Sequence, residues 1–198
     1  KTRAALDGKS EFGAVDYYTA TDWSKADLRY TLEVWDADED GNAIGDKPVK
    51  DRQVVVLDKY EPTSFEVRLV QNRNYRFVVF ADFVKDGAAT TWTAVEKLWN
   101  AGLNHKIGTT LKDIEVINEE INNESADAYF AGKLIRPTHQ STNEDKIELH
   151  RPYAKVRVVA TDLHELNRNV GPKAVKVSYY AANPNAFDAV TGKISGEY

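Results

Sequence analysis

Four runs of β-branched and aromatic residues, separated by Asp, Gly, Asn and Pro, place the strongest constraint on how this 198-residue chain folds. The runs cover residues 28–36, 53–58, 64–71 and 75–84. Each run is short and is bounded by turn-forming residues, which is typical of antiparallel strands. The sequence therefore predicts a mainly β fold built as an antiparallel β-sandwich.

The alternation of side chains predicts how two of these strands are buried. In the first run one face is apolar and the other mostly polar, so we expect one buried face and one face largely in water. The two sets are Leu28, Tyr30, Leu32 and Val34, and Arg29, Thr31, Glu33 and Trp35. The run at 75–84 is apolar on both faces, which predicts a central strand with Phe77 and Val79 in the core.

The rest of the chain predicts short helices in the connections and then more β structure. Between residues 88 and 132 apolar residues recur at helical spacing. They are Val95, Leu98 and Trp99, and, less clearly, Leu111, Ile114 and Ile117. Strands are predicted at 147–162 and 174–181, with a third near 187–194. We expect a β-sandwich lobe at residues 1–143 and a smaller β lobe at 144–198, which is either incomplete or completes the first sandwich.

The composition argues against several classes of function. A formal net charge of -5 and the lack of a dense basic run disfavour nucleic acids and anionic membrane surfaces as partners. The chain has no cysteine, which excludes disulfides, thiol nucleophiles and cysteine metal sites. It also has no P-loop, dinucleotide fingerprint or G-x-S-x-G motif. We therefore expect a non-enzymatic protein without a cofactor.

An acidic segment gives the sharpest candidate for a metal site. Asp36, Asp38 and Asp40, followed by Gly41, match the first half of an EF-hand calcium loop. Position twelve of that loop is Lys47 where the bidentate Glu belongs, and the flanking residues predict strands where an EF-hand has helices. We expect an acidic hairpin turn, and the alternative is an adventitious calcium site.

Aromatic and acidic side chains leave two further alternatives open. Trp23, Trp92 and Trp99 are candidates to stack on sugars, although such residues more often pack in a core or an interface. That alternative makes the chain a surface carbohydrate-binding β-sandwich module. The many carboxylates also leave open a glycosidase, which needs two facing carboxylates in a cleft. The four histidines stand at no metal-ligand spacing.

Several segments resemble the fimbrillin-like proteins of Bacteroidales, the superfamily of fimbrial shaft, anchor and tip subunits, in a branch of uncharacterised lipoprotein-type members. They are LRYTLEVWDADEDGNAI, FEVRLVQNRNYRFVVFADFV, DAYFAGK, LHRPYAKVRVVATDL, AVKVSYY and AFDAVTGK, which lie between residues 28 and 193. The resemblance implies transthyretin-like β-sandwich lobes, export as a lipoprotein and a place at the outer membrane or in a surface fimbrium used in adhesion.

The resemblance also implies how the protein is processed and what it binds. In that family an arginine-specific protease removes an N-terminal strand, and a strand donated by another fimbrial subunit fills the groove. Arg3 and Ala4 are similar to such a cleavage site. We expect other fimbrial subunits, and a host or bacterial surface ligand, as partners. The chain opens without a lipid-bearing Cys, so any membrane anchor is expected to lie outside it.

Overall fold

The computed structural model describes residues 20–88, 101–117, 124–138, 144–153 and 184–196. Within these residues the strands, in chain order, are β1 Ala26–Ala37, β2 Ala43–Ile44, β3 Gln53–Leu57, β4 Tyr75–Lys85, β5 His105–Ile107, β6 Ile114–Val116, β7 Ala128–Ile135, β8 Ala186–Asp188 and β9 Lys193–Ser195. A 3-10 helix spans Glu124–Ala126. The strand pairs are antiparallel. The predicted mainly β, antiparallel and sandwich-like fold is confirmed.

The first sheet is built around β1 and β4, the two longest strands. Its order is β2-β1-β4-β7, and β3 pairs with the N-terminal half of β1. Because β4 has a strand on each side, the prediction that it is central is confirmed. Phe77 and Val79 are buried, with 8% and 6% of their surface exposed, so the predicted core positions are confirmed too.

The second sheet has the order β5-β6-β8-β9 and packs across one face of the first sheet. The core between the two sheets contains Trp35, Val78, Phe80, Ile107, Leu111, Ile114, Ala128, Phe187, Ala189 and Val190. The third strand predicted near 187–194 is a hairpin, formed by β8 and β9. The division into lobes at residues 1–143 and 144–198 stays a prediction, because residues 154–183 lie outside the described residues.

The prediction that the polar face of β1 is largely in water is wrong. Arg29, Thr31, Glu33 and Trp35 are each at most 1% exposed. The second sheet covers this face of β1. The charged side chains of the face, Arg29 and Glu33, are buried against partners of opposite charge. Alternation of polar and apolar residues reports polarity, and a paired charge can be buried as completely as a leucine.

The prediction that residues 64–71 form a strand is wrong, because they pair with no other strand of the described residues. In the segment 61–70, named here the unpaired segment, side chains alternate between half-buried and exposed as in a strand, yet no strand of the described residues pairs with it. Its apolar side chains cover the second face of the first sheet together with two residues from 144–149. They are Phe65, Val67 and Leu69, joined by Ile147 and Leu149.

The prediction of a helix around Leu111, Ile114 and Ile117 is also wrong. Ile114 begins β6, and Leu111 lies in the turn before it. Three apolar residues at a spacing of three cover only two helical turns, and antiparallel pairing with β5 and β8 outweighs that weak signal. Val95, Leu98 and Trp99 lie outside the described residues.

Candidate functional site

A buried ion pair joins β1 to β4 in the middle of the first sheet. Arg29 and Asp82 are register partners on adjacent strands. The Arg29 Nε and Nη2 atoms donate hydrogen bonds of 2.8 and 2.6 Å to the two carboxylate oxygens of Asp82. The side chains are 1% and 0% exposed. A pair sealed from solvent in this way can hold strands together, but it offers no surface to a substrate.

A second buried carboxylate clamps the first sheet to the loop between β5 and β6. Glu33 accepts hydrogen bonds from Arg52 Nε at 3.0 Å, Trp35 Nε1 at 3.2 Å and the Leu111 backbone N–H at 3.0 Å. Arg52 also donates to the carbonyl oxygens of Gly108 and Thr109. Glu33 is 0% exposed. With a fourth hydrogen bond from Arg52 Nη2, the Glu33 carboxylate is a structural clamp.

Asp82 and Glu33 do not form a glycosidase pair in the described structure. Each one faces a guanidinium, Arg29 for Asp82 and Arg52 for Glu33. Neither carboxylate reaches solvent, where a glycosidic bond would have to enter.

His105 is the buried histidine on β5. Its ring packs edge-on against Phe80 and stacks on Tyr153, and its Nε2 lies 2.9 Å from the Tyr153 hydroxyl. Its Nδ1 has no hydrogen-bond partner within the part of the chain that the structure describes. Burial, with a smaller contribution from the Arg29 charge, lowers the pKa of His105 to about 3. The ring is therefore neutral at physiological pH and acts as a flat apolar filler.

The acidic segment closes a turn with its own side chains. Asp38 accepts hydrogen bonds from the Asn42 backbone N–H at 2.7 Å and from Asn42 Nδ2 at 3.0 Å, and these bonds lower the pKa of Asp38. Asp36 pairs with Arg73 at 3.0 Å. Gly41 has a φ of 84°, which the turn requires and which disfavours other residues. Among the described residues, no three acidic or histidine side chains are grouped to hold a metal ion, and Asp40 belongs to no such group.

Of the three candidate tryptophans, Trp23 lies within the described residues. Trp23 is half-buried and packs against Phe83, with ring centroids 6.0 Å apart. It contacts the core cluster of the first sheet near Leu28. Trp92 and Trp99 lie outside the described residues, as do the candidate processing residues Arg3 and Ala4.

An exposed aromatic surface lies instead at tyrosines that the sequence analysis did not single out. We call Tyr60, Tyr129 and Arg151 the tyrosine surface. Tyr60 follows β3 and is 62% exposed. It meets Tyr129 of β7 edge-on, with ring centroids 6.3 Å apart and an interplanar angle of 85°. The Arg151 guanidinium lies over the Tyr129 ring, 5.6 Å from its centroid.

A buried carboxylate fixes the charged part of the tyrosine surface. Asp127 is 2% exposed and accepts a hydrogen bond from Arg151 Nη2 at 3.2 Å. The Tyr129 hydroxyl donates to the same carboxylate at 3.4 Å. Burial, with a smaller contribution from the neighbouring Tyr60 side chain, raises the pKa of Tyr129. The Tyr129 phenol is therefore neutral, and the guanidinium is held between the Asp127 carboxylate and the Tyr129 ring.

Sequence reasoning missed the tyrosine surface because its parts are far apart along the chain. Tyr60 and Tyr129 are separated by 69 positions, and no motif links them. The available local signal was an aromatic residue in a turn between two charged ones, Lys59 and Glu61. An aromatic residue in a turn is buried only if another segment packs over it, so Tyr60 is a candidate for an exposed aromatic side chain.

The described residues thus define a mainly β, antiparallel, sandwich-like protein with sealed internal charges and an exposed tyrosine surface. The chain belongs to a family of unknown function, DUF6562, whose model matches residues 1–198. No curated protein and no solved structure matches the chain. Within the described residues, no helix has both the length and the apolar character needed to cross a membrane.

Proposed function

We propose that the chain is a non-enzymatic structural or adhesive protein of the bacterial cell surface, a fimbrial subunit or fimbria-associated protein that assembles by strand exchange. It is exported, as a lipoprotein, to the outer membrane or a fimbrium. Its partners are other fimbrial subunits and a surface ligand. The likeness of the framework strands to fimbrillin-like proteins motivates the proposal, and the unpaired segment is the structural observation that carries it.

The unpaired segment has the properties of a surface that accepts a strand. Its apolar side chains, such as Phe65 and Val67, already lie against the first sheet. Its bonded backbone groups use side chains: Glu61 O accepts from the Tyr30 hydroxyl, and Glu66 O accepts from Gln53 Nε2. A segment of strand-like alternation that forms no ladder with the described strands is a template for pairing with a donated strand, which supplies main-chain hydrogen bonds.

The sealed charges support a role without catalysis. Asp82 is bonded by Arg29, and Glu33 is bonded by Arg52, Trp35 and the Leu111 N–H, so neither buried carboxylate reaches the surface. These buried charges stabilise contacts between strands, as expected of a structural subunit that bears mechanical load.

Two paired experiments test assembly. First, the full-length precursor and its Arg3→Ala variant are treated with an arginine-specific protease and sized by light scattering. We expect oligomers from the precursor and none from the variant.

Second, Arg68→Pro removes one backbone N–H from the unpaired segment, whereas Arg68→Ala removes the same exposed side chain and keeps that N–H. We expect the proline variant alone to lose assembly.

Two outcomes contradict the proposal. One is a precursor that stays uncut, or a trimmed protein that stays monomeric beside candidate partner subunits. The other is equal assembly of Arg68→Pro and Arg68→Ala, which places any contact away from the unpaired segment. The alternative, a carbohydrate-binding module that uses Trp23, Trp92 and Trp99, receives no support from Trp23, because that ring packs on Phe83.

A further inference from the structure

The tyrosine surface combines an uncovered ring with a fixed hydrogen-bond donor. Tyr60 is 62% exposed although its edge contact with Tyr129 holds it in place. Arg151 is 45% exposed at its side chain, and Asp127 beneath it is 2% exposed. A guanidinium carries five N–H donors, and the hydrogen bond to Asp127 uses one, so this partly exposed side chain can donate to a ligand as well.

This combination matches the chemistry of a pyranose ring. One face of a pyranose is lined by C–H groups, which are attracted to the negative face of an aromatic ring, while its edge carries hydroxyl oxygens that accept hydrogen bonds. We propose that the tyrosine surface binds one pyranose unit of an oligosaccharide, which stacks on Tyr60 and accepts hydrogen bonds from Arg151.

The surroundings favour a sugar over a protein partner at this place. Lys59 and Glu61 flank Tyr60, form an ion pair of 3.1 Å and are 62% and 42% exposed at their side chains. Protein interfaces are depleted in Lys and Glu, and here one of each flanks the exposed ring, which leaves little apolar surface for a protein partner. The inference does not depend on strand exchange, because the residues of the tyrosine surface lie outside the unpaired segment.

The site assigns different work to its parts. Tyr60 supplies the stacking surface, and its ring contacts Tyr129. Arg151 supplies the donors, and Asp127 orients Arg151 without touching the ligand. Because Asp127 also offsets the charge of Arg151, both neutral sugars and sugars that carry a carboxylate fit the same surface. A carboxylated sugar gains a charge-assisted hydrogen bond from the guanidinium.

The test uses monomeric protein, so its result is separable from that of the assembly experiments. Binding of manno-, xylo- and galacturono-hexasaccharides is measured by saturation-transfer NMR and calorimetry. We expect Tyr60→Ala to weaken binding by about tenfold, the upper range for one aromatic contact, and Tyr60→Phe to bind as the wild type does. Ile194→Ala is the matched control, because Ile194 is equally exposed, at 62%, but lies on the second sheet.

The arms of the experiment separate the ligand classes. A preference for the galacturonate that Arg151→Lys removes assigns a carboxylated sugar, and equal binding of all three assigns a neutral pyranose face. Saturation transfer to the ring C–H protons is expected to vanish in Tyr60→Ala. The inference is overturned if none of the sugars binds, if Tyr60→Ala binds as the wild type does, or if Tyr60→Ala changes only self-association, which would make this surface a subunit interface.

Discussion

Breaking the buried pair between Arg29 and Asp82 should be more damaging than removing both members. In Asp82→Asn the guanidinium of Arg29, which is 1% exposed, loses its compensating charge and stays in the core. An uncompensated buried charge of this kind costs about 3 to 5 kcal/mol of the free energy of unfolding. Replacement of both residues, as Arg29→Met with Asp82→Leu, removes the charges together and fills the space with apolar atoms.

The double variant should therefore be more stable than Arg29→Met or Asp82→Leu alone, within about 2 kcal/mol of the wild type, since buried pairs rarely exceed their hydrophobic replacements in stability. Urea unfolding followed by circular dichroism and tryptophan fluorescence measures the wild type, Asp82→Asn, these two single variants and the double variant. Glu148→Gln provides the control, because its pair with Lys146 is 69% and 83% exposed and should leave the unfolding midpoint unchanged.

The relative stabilities of these variants test whether the pair of Arg29 and Asp82 is buried and whether the two residues are coupled. If Asp82→Asn unfolds at the same urea concentration as Glu148→Gln, water reaches the pair and the sealed first sheet described above is wrong. If the double variant loses as much as the two single variants added together, the residues act independently and their hydrogen-bonded geometry carries no coupling.

Three further predictions follow from single side chains. Phe77→Ala should cost about 3 to 5 kcal/mol in urea unfolding because Phe77 is buried, and a loss under about 1 kcal/mol would make β4 peripheral. The pKa of His105, lowered to about 3 by burial, means that the unfolded chain binds its proton first as pH falls, so stability present above pH 6.5 is lost toward pH 3. Between pH 7 and 5 the loss should be roughly 2 kcal/mol larger than in His105→Phe, and equal losses would contradict the burial of the ring. Calorimetry should show at most millimolar calcium affinity, since the Asp38 oxygens are occupied by Asn42, and micromolar binding abolished by Asp38→Ala would refute this.

Local pattern predicted those parts of the fold that depend on neighbours in sequence. The apolar run at residues 75–84 predicted the central strand, because a strand with sheet on both sides needs both faces apolar. The Asp40-Gly41 dipeptide predicted a turn, and Gly41 adopts the positive φ that such turns use. These features need no knowledge of what the chain meets elsewhere.

The errors arise where a distant partner decides the outcome. Glu33 has the pattern of a solvent-facing residue, yet Arg52 and the Leu111 N–H bury it. Residues 64–71 have the pattern of a strand, yet a ladder also requires a second strand about 4.8 Å away, which the pattern cannot supply. Asp82 was the available hint, since a lone carboxylate in an apolar run needs a buried cation.

The same reasoning explains why the tyrosine surface is invisible in the sequence and why it is functionally informative. Three separate segments contribute Tyr60, Tyr129 and Arg151. The buried Asp127 bonds both Tyr129 and Arg151 and so fixes their orientation. An arginine at the surface is hydrated and does not need a buried partner. Burying the Asp127 carboxylate carries a desolvation penalty, and packing of the fold alone does not require this penalty. It is at this surface, more than at the sealed charges of the core, that recognition of a ligand should be sought.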